Sequence, residues 1–159
     1  MAAAGGSFLK IGLELLFEAS ASLAAPLVVG PTPAGLRRVI PIEGGTFSGP
    51  RMRGRILPGG ADWQYLRADG VMIVEAQYLL ATEDDVLIQV QNRGLRHGPQ
   101  EVMQRLAAGA SVDPSEYYFR AVPSFAAPAG PYEWLNRSVF VCTGARLADA
   151  VRLWVYRLQ

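Results

Sequence analysis

Apolar and polar residues alternate along most of this chain, and glycine and proline interrupt the alternation at short intervals. In "LELLFEASASL", Leu13, Leu15, Phe17, Ala19, Ala21 and Leu23 share one face at period two. Glu14, Glu18, Ser20 and Ser22 share the other, with Leu16 the exception. "VMIVEAQYLL" sets Val71, Ile73, Glu75, Gln77 and Leu79 against Met72, Val74, Ala76, Tyr78 and Leu80. "VLIQVQNR" and "SEYYFRAVPSF" alternate in the same way. Successive side chains of a strand point to opposite faces, so this is a strand pattern. It predicts strands over 12–23, 36–42, 45–57, 62–68, 71–80, 86–93, 115–125, 137–146 and 150–158. Asp69-Gly70 makes a tight hairpin, and "ATEDDV" a slightly longer one. Pro123 places the end of its strand at a bulge or an edge.

One segment departs from period two. In "HGPQEVMQRLAAGA", Pro99 suits a first helical turn and Glu101 favours the positive helix end. Val102, Met103 and Leu106 form an apolar stripe, and Gly109 is placed to end it. Many short strands with one short helix near residues 99–108 indicate an all-β fold. Either a sandwich or a barrel fits that pattern. The helix would cap or plug one end. Residues 1–8 read as a flexible tail and 9–159 as the barrel domain.

Composition removes several function classes. At 159 residues the chain is long enough for one domain with its own core. Fifteen basic and fourteen acidic residues leave a net charge of +1, so no field points to nucleic acid or an anionic membrane. Glu14 and Glu18 interrupt what would be the apolar centre of a secretion signal, so a cytoplasmic location is expected. Cys142 is the only cysteine, which excludes an intrachain disulfide and fits a small buried hydrophobe. His97 is the only histidine, so a structural zinc site is excluded. No phosphate-cradling glycine loop, dinucleotide fingerprint or nucleophile-elbow serine is present, and no cofactor is expected.

What remains is carboxylates, amides, aromatics and arginines near turns. "ILPGGADWQYLR" is the most unusual run: a Pro58-Gly59-Gly60 break delivers Asp62 and Trp63 side by side. By alternation Asp62, Gln64 and Leu66 share one face while Trp63, Tyr65 and Arg67 share the other, so only one of the pair faces inward. The candidate catalytic residues are Glu75, Asp62, Tyr118 and Arg120; the candidate ligand-binding residues are Trp63, Gln77, Asn92, Trp134 and Asn136. A carboxylate in an apolar cavity has its charged form disfavoured and can exchange protons near neutrality. Tyr118 or Arg120 could stabilise an oxyanion as it develops. The same groups could instead tie down barrel corners by hydrogen bonds.

Four blocks, "GGTFSGPRMRGRILPGGADWQ", "LIQVQNRGLRHGP", "DPSEYYFR" and "YEWLNRSVFVCTG", resemble domain-of-unknown-function family 3237 in order and spacing. The resemblance runs from about Leu13 to the C-terminus and implies a single antiparallel, mostly up-and-down closed β-barrel, calycin- or lipocalin-like, of about eight to ten strands with an interior cavity. It carries over Asp62, Trp63, Asn92, Arg93, Arg96, Tyr118, Arg120, Trp134 and Asn136, and implies no general activity. Where relatives are expected to read D-A-R-Y, this chain has Glu75-Ala76-Gln77-Tyr78. Either Glu75 finds another partner or it becomes free for acid–base work. The expected function is a cofactor-independent isomerase, cyclase or lyase that moves a proton on a small hydrophobic or aromatic metabolite. A non-catalytic barrel binding such a metabolite is one alternative; a filled barrel that self-associates as a homo-oligomer is the other. An interior cavity on the order of several hundred cubic ångströms would favour the first two.

Overall fold

A computed structural model describes residues 9–159; the expected 1–8 tail lies outside the described residues. Its elements are β1 (Leu13–Leu23), β2 (Leu27–Thr32), β3 (Gly35–Ser48), β4 (Arg53–Ile56), β5 (Ala61–Leu66), β6 (Met72–Thr82) and β7 (Leu87–His97). Helix α1 (Gln100–Ala107) follows, then β8 (Tyr118–Ala126), β9 (Phe140–Arg146) and β10 (Ala150–Leu158). Single 3₁₀ turns at Pro114–Glu116 and Glu133–Arg137 flank β8. Every strand pairing is antiparallel, in the order β1-β10-β9-β8-β7-β6-β4-β3, and β1 pairs with β3 to close the ring. The result is an eight-place closed barrel with two extra strands: β4 and β5 share one place between β3 and β6, and β2 hairpins onto β3.

Two glycines explain where the strand expectations fail. A break was expected between 42 and 45, yet β3 runs unbroken through Gly44 and Gly45. At Gly45 a Cβ would sit 2.0 Å from the Ser20 carbonyl oxygen on β1, and φ is +155°. The pair therefore lets β3 bend against β1 instead of turning away. The turn comes later, at 49–52, before the short β4. β2 was not expected at all, because Pro26, Pro31 and Pro33 crowd it; it is an edge strand, where a missing N–H is tolerated. Leu16, which broke the pattern of β1, sits at a β-bulge between Leu15 and Phe17 and is buried.

The two ends of the barrel are filled differently. At one end Phe17 packs on Phe47 and Phe125, and Phe125 meets Phe140 edge-on at 4.9 Å between centroids. Leu80, Ile88, Val90 and Leu135 complete this end with no space left. Each such side chain contributes roughly 1.5–3 kcal/mol by leaving water. β8 pairs with β9 only at Arg120 and Ala121, and the 133–137 turn covers the gap with Leu135. Pro123 lies just past that pairing, at the free side of its strand, as its missing N–H demands. At the other end small inward residues, Ala21 and Ala76 among them, leave space, and α1 closes over it with Val102, Met103 and Leu106.

Candidate functional site

The space under α1 is a polar chamber at the end of an apolar barrel. An inner cavity of about 50 Å³ is lined by Asp62, Gln64, Tyr78, Asn92, Arg96 and Arg146 among aliphatic residues. It adjoins an outer chamber of about 280 Å³ between the barrel mouth and α1, to which Arg38, Arg96 and Arg146 also contribute. The enclosed cavity is far smaller than the several hundred cubic ångströms that a wholly internal ligand would need. The phenylalanine-filled end takes up the rest of the interior, so a metabolite-sized molecule needs the mouth as well.

Each polar residue arrives by continuing an inward register to the mouth. Arg38 follows Ile42 and Ile40 on β3; Arg96 follows Val90, Asn92 and Gly94 on β7; Arg146 follows Phe140, Cys142 and Gly144 on β9. Asp62 and Gln64 come from β5, and the run before them sets their phase. Ile56 pairs with Leu80 and Ala61 with Gln77, so the four residues 57–60 stand opposite only two on β6. Because the excess is even, Ile56, Asp62 and Gln64 all face inward. Gly59 turns the chain at φ +102°. Gly60 then passes so close to β6 that a Cβ would lie 2.5 Å from the Gln77 carbonyl oxygen.

Asp62 accepts from neutral donors only. Gln64 Nε2 donates to Oδ2 at 2.7 Å, and the Glu75 backbone N–H donates to Oδ1 at 2.9 Å. Arg38 Nε donates to Gln64 Oε1 at 2.7 Å, so the amide relays between guanidinium and carboxylate. Asp62 keeps some surface toward the cavity, but protein walls it on every other side. Burial raises its pKa above the ordinary carboxylate range, against the opposing pull of Gln64, the Glu75 N–H, Arg96 and Arg38. Burial pushes Arg96 down to about 10, and Arg38 pushes the same way, so it stays a cation at neutral pH. Burial also lowers Arg38 and Arg146, and Arg38 repels Arg146. The Tyr78 hydroxyl is raised by burial and stays protonated. Asn92 directs its amide at Cys142 Sγ, 3.5 Å away. The arrangement can hold a proton on Asp62, donate from Tyr78 and Gln64, and stabilise negative charge with three guanidinium groups.

Of the residues singled out from sequence, Asp62, Asn92 and Arg96, the last through the family resemblance, reach this interior. Trp63 is 46% exposed and lies on the outer wall under Arg37, so Asp62 is the inward member of the pair. Glu75 and Gln77 also face outward; with Trp63, Gln91 and Arg93 they line a groove outside the barrel. Glu75 finds another partner there, Arg93 on β7, with Nε and Oε1 3.1 Å apart. Tyr118 stacks on His97 at 5.0 Å, and Arg120 donates to the Phe119 carbonyl, both on the outer face of β8. Trp134 lies at the filled end between Arg51 and Arg157. Asn136 clips the chain by donating to Ala127 O and accepting from Ala127 N–H. Arg38, Gln64 and Arg146 were missed as site residues, although each stands in phase with apolar inward neighbours on its strand. Each lies within a strand the alternation predicts, and following the inward phase along that strand reaches it. Among the described residues no three of His, Cys, Asp and Glu gather as metal ligands, and no helix is long and apolar enough to cross a membrane.

Comparison with known proteins agrees with this architecture. A family model described as a protein of unknown function, DUF3237, matches residues 11–158. A UPF0311 protein of Bradyrhizobium diazoefficiens is 39% identical over 146 residues, covering 92% of this chain and 95% of the relative. The crystal structure of a conserved protein of unknown function from Rhodopseudomonas palustris superposes with a TM-score of 0.92 at 35% identity, covering 96% of this chain and all of that one (100%). A more distant structure, described as an enzyme from Penicillium herquei, gives a TM-score of 0.72 at 20% identity and covers 98% of this chain and 99% of that one. At that identity it shows the shared fold alone.

Proposed function

This chain belongs to the DUF3237 family, and from that premise we propose that it is a cofactor-independent enzyme whose Asp62 moves a proton on a small metabolite held at the α1 end of the barrel. The reaction class is isomerisation, cyclisation or elimination through an enol or enolate. The observation that carries this reading is Asp62 itself: an enclosed carboxylate, held by neutral donors, with its proton affinity raised by burial. A carboxyl group in that state gives and takes protons near neutrality. Tyr78 and Gln64 present donors beside it, and the guanidinium groups at the mouth offset oxyanion charge. Asn92, two strands from Asp62 in the same cross-strand row, adds a polar contact for the ligand from β7. Glu75 has no part in this reading, because it stands outside the barrel in an ion pair. A neighbour of the same fold is described as an enzyme, which supports catalysis on this scaffold without naming a reaction.

Proton transfer can be tested before a substrate is known. Incubated in heavy water with a panel of small enolisable ketones and unsaturated acids, the protein should catalyse deuterium incorporation into at least one. Asp62→Asn should abolish that exchange, and Glu75→Gln should leave it intact. Exchange that survives Asp62→Asn would remove the carboxyl from the mechanism. A non-catalytic carrier would bind members of the panel without exchanging them in either form.

A further inference from the structure

The proton-transfer reading leaves three cations at the mouth without an anion of the protein's own to meet them. Arg96 is only 7% exposed and lines both the inner cavity and the outer chamber. Among the described residues no side-chain hydrogen bond and no ion pair includes it. Arg38 commits Nε to Gln64 and leaves its two terminal nitrogens uncommitted. Arg146 commits one terminal nitrogen to the Ala150 carbonyl at 3.2 Å, with Asp149 as the acid that bears on it from outside. Asp62 is the one carboxylate lining either space, and each of its oxygens already accepts a hydrogen bond, from Gln64 and from the Glu75 N–H, and none from an arginine. Three like charges in a walled space repel one another and lose hydration, which is unfavourable unless something negative enters.

Shape narrows the anion. Beside the arginines, the rest of the chamber wall is largely apolar: Pro26, Leu66, Met72, Met103 and Leu106. A spherical inorganic oxyanion would meet the guanidinium groups and leave that wall unused. A planar carboxylate matches the fork of an arginine, two N–H groups to two oxygens, and an apolar body behind it would rest on the methionines.

We propose that the molecule bound at this mouth is an organic carboxylate with a small apolar or aromatic body, its carboxylate held by Arg96 and Arg146 with Arg38 behind them. This rests on the same chamber as the proton-transfer reading and names the substrate class for it. The carboxylate anchors the molecule at the mouth, and the adjoining inner cavity presents Asp62 to the part that reacts.

Benzoate is the probe, benzamide its neutral isostere, and inorganic phosphate the control for charge alone. At low ionic strength benzoate should raise the melting temperature saturably, and benzamide and phosphate at the same concentrations should not. Arg96→Met and Arg146→Met should each weaken benzoate at least tenfold in calorimetric titration. Arg146 lies at the rim, so its variant serves if the deeper one folds poorly. Asp62→Asn should bind benzoate as tightly as the parent or more tightly, since it removes the only acid in the chamber. Benzamide matching benzoate, phosphate matching benzoate, or full affinity in both arginine variants would overturn the carboxylate site. Those outcomes leave deuterium exchange untouched, whereas a parent protein that binds benzoate but exchanges no member of the ketone and acid panel counts against the acid–base role alone.

Discussion

Asp62 accepts from an amide and a backbone N–H while three guanidinium groups stand nearby, and that choice of partners sets its protonation. A direct arginine fork would have fixed it as a carboxylate at every physiological pH. Here burial wins, and the folded protein binds the Asp62 proton more tightly than the unfolded chain does, where the value is about 3.9. The groups facing it are Arg38 from β3, Gln64 from β5, Tyr78 and the Glu75 N–H from β6, Arg96 from β7 and Arg146 from β9. A group raised on folding contributes stability that is complete below its unfolded value and is lost as pH rises through its folded value. Asp62→Asn removes that loss. Its melting temperature should decline less than the parent's on the alkaline side of pH about 4, with the gap widening as pH rises; parallel profiles would show an ordinary carboxylate. Arg96 makes the opposite trade. Arg96→Met keeps the stem packed beside Phe119 and deletes a buried, unpaired cation. It should stabilise the unliganded protein by about 1–3 kcal/mol in urea unfolding while removing the anion site.

Among the elements, the β4–β5 break shows how a local irregularity serves a site. Gly59 and Gly60 look equivalent in sequence, but only Gly60 lies against another backbone. Gly59→Ala meets open space and should cost roughly 1 kcal/mol for its left-handed φ. Gly60→Ala drives a Cβ into the Gln77 carbonyl and Tyr78, so β5 must shift on β6. It should cost more, roughly 2–4 kcal/mol by denaturant midpoint, and should disturb the Asp62–Glu75 N–H bond as well. Period-two alternation was enough to read most of the strands and the opposite facing of Asp62 and Trp63, and the one departure from it, with its helix signals, marked α1. It did not reveal β2 or the continuity of β3, because glycine and proline signal a turn whether the chain turns or merely passes close to a neighbour. It also stopped short of the arginines. The strand expected over 86–93 ends before Arg96, which belongs to β7 through His97. Arg38 was read as part of a strand but not as inward, since an arginine beside another arginine, Arg37, suggests solvent. Their meeting is a property of barrel closure, which brings β3, β5, β7 and β9 together at one rim from distant parts of the sequence.

The whole molecule divides its interior between stability and chemistry, and the division makes the two separable by mutation. Phe17, Phe125 and Phe140 fill the end remote from α1, while the polar side chains Asp62, Gln64, Asn92 and Arg96 gather in the chamber. Phe125→Ala leaves a large hole among rings that cannot close on it and should cost about 3–5 kcal/mol. Deuterium exchange and benzoate affinity should persist in whatever fraction stays folded, because that ring does not line the chamber. Filling the chamber should do the reverse. Ala21 and Ala76 line the inner cavity, whose volume of about 50 Å³ admits the extra methyl groups of Ala21→Val without forcing the wall apart. Stability should be unchanged or slightly higher, as expected where a void is filled rather than a close-packed core overfilled. The valine would occupy the space between the mouth and Asp62, so benzoate should still dock on Arg96 and Arg146 while exchange falls at least tenfold. Should exchange continue at the parental rate in Ala21→Val, the inner cavity would not be where the proton moves, and the chemistry would have to lie wholly in the outer chamber.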